Sequence, residues 1–200
     1  VGNMEQQNDC KIILNNYAQY GNVTGGKNAG GIVGIISMGY YSGKNNSPIT
    51  LSGVILAGDV SGTAYVGGIA GYATSGSSTT SRYLDIELFS SAMTGTVSVA
   101  AGGRAGLVIG GSIDATPTNK ITADGKSYVN ESLTVFAPGN TTDGVVADKV
   151  STDYSTYTPA TYSASVLTDG TVLGVVNAYA LESAKMPWVQ GDTAPELLVC

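Results

Sequence analysis

A short glycine-bounded motif recurs at nearly constant spacing along the chain. Gly31-Ile32-Val33-Gly34 returns as Gly68-Ile69-Ala70-Gly71, as Gly106-Leu107-Val108-Ile109, and more faintly as Gly144-Val145-Val146-Ala147, at steps of 37, 38 and 38 residues. Ahead of the first three copies stands a second matching piece: Tyr20-Gly21-Asn22-Val23-Thr24-Gly25, Ala57-Gly58-Asp59-Val60-Ser61-Gly62 and Thr94-Gly95-Thr96-Val97-Ser98-Val99. A fixed period of this size means stacked supersecondary units, each with an apolar face that only its neighbour covers. Because the repeat runs through residues 13–147 with no linker-like break, it argues for one elongated unit rather than two domains.

Within each copy the apolar residues alternate in short runs bounded by Gly, Ser and Asn, which is the pattern of strands. Ile49, Leu51 and Ile55 are spaced to point inward, as are Leu84, Ile86 and Leu88 one repeat later. Val, Ile, Thr and Tyr dominate and no helical face gathers, so helix content should be very low. Gly21, Gly58 and Gly95 mark one corner, and Gly34 and Gly71 another; there glycine supplies positive φ and lets stacked backbones approach closely. The expected fold is all-β: a parallel β-helix of four to five coils, right-handed by the general preference of parallel connections, with Ile32, Ile69, Leu107 and Val145 in one internal row. Residues 1–164 form the repeats, and 165–200 close the same domain, with Trp188 as a lid over the last coil.

Charge and cysteine content exclude several function classes. Charged residues make up 12% of the chain and the net charge is −6, with nine Lys plus Arg scattered singly. That leaves no electrostatic footprint for nucleic acid. The longest apolar run, residues 30–38, is far short of a bilayer span. A start at Val1-Gly2-Asn3, polar and without an initiator Met, reads as a mature or trimmed piece of a secreted protein. Cys10 and Cys200 do not have metal-site spacing. Four or five rungs at roughly 4.8 Å would hold them about 20 Å apart, so they are expected to be separate thiols.

Chemistry is thin. The chain has no histidine, which rules out Ser-His-Asp and Cys-His catalysis and His-ligated metal sites within it. Gly21-Asn22-Val23-Thr24-Gly25-Gly26-Lys27-Asn28 approaches the phosphate-cradling loop, but Asn28 stands where the magnesium-binding hydroxyl belongs and no helix pattern follows. Asp59, Asp85 and Asp114 are spread singly, whereas Asp143, Asp148 and Asp153 share the irregular fourth copy. Solvated surface carboxylates are the better account of all six, so no catalytic residue, metal or cofactor is expected. The alternative is a carbohydrate-active β-helix, lyase or hydrolase, using Asp143 and Asp148. Twelve tyrosines offer rings that stack on sugars. Tyr40, Tyr41 and Tyr72 follow the glycine cores of adjacent repeats and could align into a ligand-binding ladder, with Tyr154, Tyr157 and Tyr162 as a second group in the variable loop; the favoured alternative is that these rings merely cover the sheet face and loop bases.

One family combines these features. The unit Ile13-x-Asn15-Asn16-Tyr17-x-x-Tyr20-Gly21-Asn22-Val23-Thr24-Gly25, followed by Gly30-Gly31-Ile32-Val33-Gly34, resembles the GLUG repeat of bacterial surface proteins. Residues 49–71 repeat it closely, the third copy ends on Ile109 in place of the final Gly, and the fourth keeps only its first Gly. Ser165-Val166-Leu167-Thr168-Asp169-Gly170-Thr171-Val172, then Val176-Asn177, Trp188 and Pro195-Glu196-Leu197, is similar to the closing segment of such modules. Members include adhesin-like proteins of gut bacteria and the non-catalytic part of some immunoglobulin A proteases. The resemblance implies an extracellular stalk or adhesive module and brings no catalytic residue, so a non-enzymatic part of a larger surface protein is expected. If the module adheres directly, glycans fit the tyrosine-bearing side better than nucleic acids, given the acidic balance, and a host protein is equally compatible.

Overall fold

The computed structural model describes residues 2–6, 11–38, 48–75, 85–100, 102–106, 108–111, 120–123, 128–129, 135–136, 166–182 and 188–198. Strands dominate, and all but the last two pair in parallel. A leading strand, β1 (Asn3–Gln6), precedes a first round of four: β2 (Ile12–Gln19), β3 (Val23–Thr24), β4 (Asn28–Gly30) and β5 (Val33–Met38). The second round repeats it as β6 (Ile49–Leu56), β7 (Val60–Gly62), β8 (Tyr65–Gly67) and β9 (Ala70–Ser75). The third divides its long strand into β10 (Asp85–Phe89) and β11 (Ala92–Met93), then continues with β12 (Val97–Val99) and β13 (Arg104–Gly106). Short strands β14 (Lys120–Ala123), β15 (Tyr128–Val129) and β16 (Val135–Phe136) begin a fourth.

Each strand pairs with its counterpart in the next round, so the chain visits four parallel sheets in turn. In the long sheet Ile12 faces Ile49 and Ile49 faces Ile86; in the second, Val23 faces Val60 and Val60 faces Val97. The third sheet aligns Asn28, Tyr65 and Arg104, and the fourth aligns Ile35 with Tyr72. At the first two sets of positions like residues stack on like from rung to rung, whereas the partly exposed Asn28–Tyr65–Arg104 and Ile35–Tyr72 positions change type. One apolar cluster lies between the long and fourth sheets, around Ile36, Leu51, Ile69 and Ile86. A second lies between the second and third, around Val60, Val66 and Val97.

The third round shows how register survives an insertion. Where the second round has Thr63 and Ala64 between its second and third sheets, the third round has residues 100–103. Gly102, at φ +85, takes up the added length. The register beyond therefore differs from the one the sequence spacing suggests. Ala70 bridges Ile109, so Gly110 stands over Gly71 and the third copy keeps its final glycine. Ile69 donates its N–H to Val108, which places Ile32, Ile69 and Val108 in the internal row assigned above to Leu107. Leu107 and Val145 lie outside the described residues, as do Cys10, Cys200 and Leu84.

The left-handed corner is not where the glycine pattern puts it. Asn16, Gly53 and Ser90, one per round, have φ of 54, 62 and 46 in the middle of the long strands. Asn and Gly adopt this region readily, and Ser carries a modest strain. A residue of this kind shifts the alternation of side chains by one. Before it Ile49, Leu51, Ile86 and Leu88 face the interior; after it Val54, Leu56 and Met93 do. Ile55, expected to point inward, faces the opposite side with Ala92. The Val54 N–H, displaced from the ladder, donates to Ser91 Oγ at 3.2 Å.

Gly21, Gly58, Gly95, Gly34 and Gly71 are absent from the positive-φ residues. What most of them require is room. A Cβ on Gly95 would strike the Gly58 carbonyl, and one on Gly58 would strike the Gly21 carbonyl and the Gln19 amide, whereas Gly21 faces open space. In the same way a Cβ on Gly71 would come 2.8 Å from Gly34 O.

The C-terminal segment holds one helix, α1 (Thr171–Glu182), and a hairpin of β17 (Trp188–Gln190) and β18 (Pro195–Leu197). Asp169 Oδ1 accepts the Thr171 N–H at 2.9 Å ahead of the first turn, an acidic group well placed at a helix start. The segment runs along the flank of the long sheet. Val166, Val172, Val176 and Trp188 bury against Ile55 and Ala92, and Ala18 and Ala57 pack at the margin. Trp188 is 2% exposed, and its Nε1 lies 3.6 Å from where a Gly53 Cβ would stand. Among the described residues the segment's apolar contacts are with the first three rounds; residues 137–165, which lead into it from the last coil, lie outside the described residues.

Candidate functional site

Of the ladder Tyr40, Tyr41 and Tyr72, only Tyr72 lies within the described residues. Its neighbour is Tyr65, which the sequence spacing did not single out. The third sheet ends in the Gly67-Gly68-Ile69 turn, and the fourth sheet returns close against it: a Cβ on Gly67 would come 2.7 Å from Gly110 N, and one on Gly71 would come 2.8 Å from Ala29 O. At the edge of this glycine seam the two rings meet with centroids 4.6 Å apart and planes tilted by 44°. That separation is within the range of a favourable aromatic pair.

The surroundings are mixed in character. Tyr65 shares its register position with Asn28 on one side and Arg104 on the other. Gly111 gives the Tyr65 ring its space, since a Cβ there would come 2.5 Å from Cδ1. All three residues of the Asn28–Tyr65–Arg104 row, and Tyr72, are partly exposed, while Ala29, Val66 and Ala105 beside them are buried. The result is a pair of tyrosine faces on a rigid two-sheet corner, with an amide one rung before and a guanidinium one rung after. Such a set can stack on a ring and hydrogen-bond its hydroxyls; it has no acid–base pair.

The carboxylates do not converge among the described residues, and no group of three or more His, Cys, Asp or Glu is placed to hold a metal there. Asp59 Oδ1 accepts the Thr96 N–H at 2.9 Å, and Asn22 Oδ1 accepts the Asp59 N–H at 3.0 Å, so both side chains join successive rungs. The side chain of Asp85, and Asp114, Asp143, Asp148 and Asp153, lie outside the described residues. The Gly21 to Asn28 stretch forms a corner and two short strands instead of a loop opening a helix. Tyr20 is engaged in holding the C-terminal segment: its hydroxyl donates to Pro195 O, and its pKa is pushed up to about 12 by burial, with the Glu196 charge adding to it. No helix among the described residues is long and apolar enough to cross a membrane.

No family model, curated protein or solved structure matches the chain.

Proposed function

We propose that this chain is a β-solenoid module that works by extension and surface display, without catalysis, outside a bacterial cell. What supports the solenoid is the rung-on-rung register of four parallel sheets across three rounds, since a unit whose apolar face is covered by its successor is the unit of such arrays. What supports a binding role is the Tyr65–Tyr72 pair: rings already fixed by a glycine seam supply contact area at little entropic cost. Glycans are the ligand class that suits partly exposed rings flanked by an amide and a guanidinium, with a host protein as the second candidate. The GLUG-like repeat is the support for the surface location and the adhesive role.

A glycan array probed with the wild-type chain and with Tyr65→Ala, Tyr72→Ala and Arg104→Ala tests this. Binding should weaken about tenfold or more for either tyrosine, the ~1.4 kcal/mol of one aromatic anchor. Binding unchanged in both tyrosine variants would remove the site, and no binding to any glycan or matrix protein would leave a spacer. Polysaccharide turnover abolished by Asp143→Asn or Asp148→Asn would overturn the non-enzymatic assignment.

A further inference from the structure

The first round borders a half-open apolar cavity of about 420 Å³, lined by Ile12, Leu14, Ile32, Ile36, Ile49 and Leu51 among others. This is within the size range of small-molecule sites, about 300–1,000 Å³. It lies where β2 has a neighbour, β6, on one side only among the described strands. One feature distinguishes it from a plain opening between strands. Gln19 lines it, at 7% exposure, with Oε1 buried and accepting no hydrogen bond among the described residues. The amide orientation follows from its other end, where Nε2 donates to Gly21 O; a flipped amide would set two acceptors together. Oε1 lies 3.4 Å from where a Cβ would stand on Gly31, which also lines the cavity.

The register makes the glutamine conspicuous. Gln19 pairs with Leu56, and Leu56 with Met93, so an otherwise apolar inward row carries an amide only at this cavity. A buried acceptor without a donor is costly, and its retention in an apolar chamber is explained by a donor that arrives with a ligand. We infer that the cavity binds an uncharged amphiphile with an aliphatic body and a single hydroxyl or amide N–H, the donor paired to Gln19 Oε1. A carboxylate is disfavoured twice, by repulsion from the lone pairs of Oε1 and by the cost of burying its charge. Tyr17, the other polar side chain on the lining among the described residues, can donate its O–H to the oxygen of the same head group.

The test uses the full chain and the dye N-phenyl-1-naphthylamine, whose fluorescence rises in apolar sites and which carries one N–H. The dye should bind, and 1-decanol should displace it at about two- to tenfold lower concentration than decyl methyl ether, the worth of one net hydrogen bond. Decanoate should compete more weakly than either. In Gln19→Leu, which installs the residue the second round already uses, the alcohol and the ether should compete equally while dye binding persists. Ile32→Trp should fill the cavity and abolish the dye signal with the circular dichroism unchanged. No dye binding to the wild type, equal competition by alcohol and ether there, or a preference that survives Gln19→Leu would overturn the assignment. So would a dimer in sedimentation velocity that dissociates as dye binds, because the occupant would then be a second copy.

Discussion

Trp188 is the best single probe of how the C-terminal segment is held. Its side chain is 2% exposed and packs with Ile55, Ala92, Val166, Val172 and Val176, joining the flank of the long sheet to α1. Removing a buried indole costs about 3–5 kcal/mol. Against that, Nε1 is buried with no partner among the described residues, a penalty of about 1–3 kcal/mol that truncation relieves. Taking the centres of the two ranges, Trp188→Ala should therefore destabilise by about 2 kcal/mol. Trp188→Phe keeps most of the ring contact and deletes the orphaned donor, so it should stay within about 1 kcal/mol of the wild type. Urea titration followed by circular dichroism gives both values. Because Trp188 is the single tryptophan, wild-type emission reports its burial directly and should be blue-shifted and shielded from iodide. A red-shifted, freely quenched emission, or an alanine variant within 1 kcal/mol of wild type, would refute the packing argument.

Two further outcomes follow from backbone proximity and from ionisation. Gly58→Ala should cost about 1–3 kcal/mol by overpacking, because its Cβ would fall 2.7 Å from the Gly21 carbonyl carbon, whereas Gly21→Ala, which meets nothing, should stay within about 0.5 kcal/mol; thermal melts of the two variants compare them. Tyr20, with a folded pKa of about 12 against the ordinary 10, keeps its proton after the unfolded chain has lost it, so stability present below pH 10 should fall between pH 10 and 12, and Tyr20→Phe should flatten that fall in pH-dependent urea melts.

The period was legible because apolar residues that stack must recur at the same phase, and Ile12, Ile49 and Ile86 or Val23, Val60 and Val97 do so at one step. The left-handed corner was hidden because Asn16, Gly53 and Ser90 are three different residue types inside runs of strand formers, while more conspicuous glycines stood at crowded positions with ordinary φ. That hidden corner also explains why Ile55 was assigned to the wrong face: strict alternation fails one residue past Gly53. The third-round register slipped because the two residues added near Gly102 cannot be told from drift in a degenerate motif. Helix α1 escaped because Val172, Val175 and Val176 favour strands, and its helical form depends on burial against the sheet. At the candidate site, Tyr72 was visible beside its glycine core. Tyr65, seven residues earlier, becomes its partner only once the Gly67-Gly68-Ile69 turn brings the two sheets together.

The stacking itself is open to a direct chemical measurement. Thr24 and Ser61 occupy registered positions on adjacent rungs, with hydroxyl oxygens 3.1 Å apart, and Ser98 stands one rung further. In a Cys10→Ser, Cys200→Ser background, Thr24→Cys with Ser61→Cys places two thiols one rung apart, about 4.8 Å between Cα atoms and within reach of a disulfide. Thr24→Cys with Ser98→Cys places them two rungs apart, about 9.6 Å, beyond the ~7 Å limit. After mild oxidation, mass spectrometry of the monomer should find the intramolecular disulfide in the first pair and free thiols in the second. Equal cross-linking of both pairs, or cross-linking of the second alone, would contradict the stacked register.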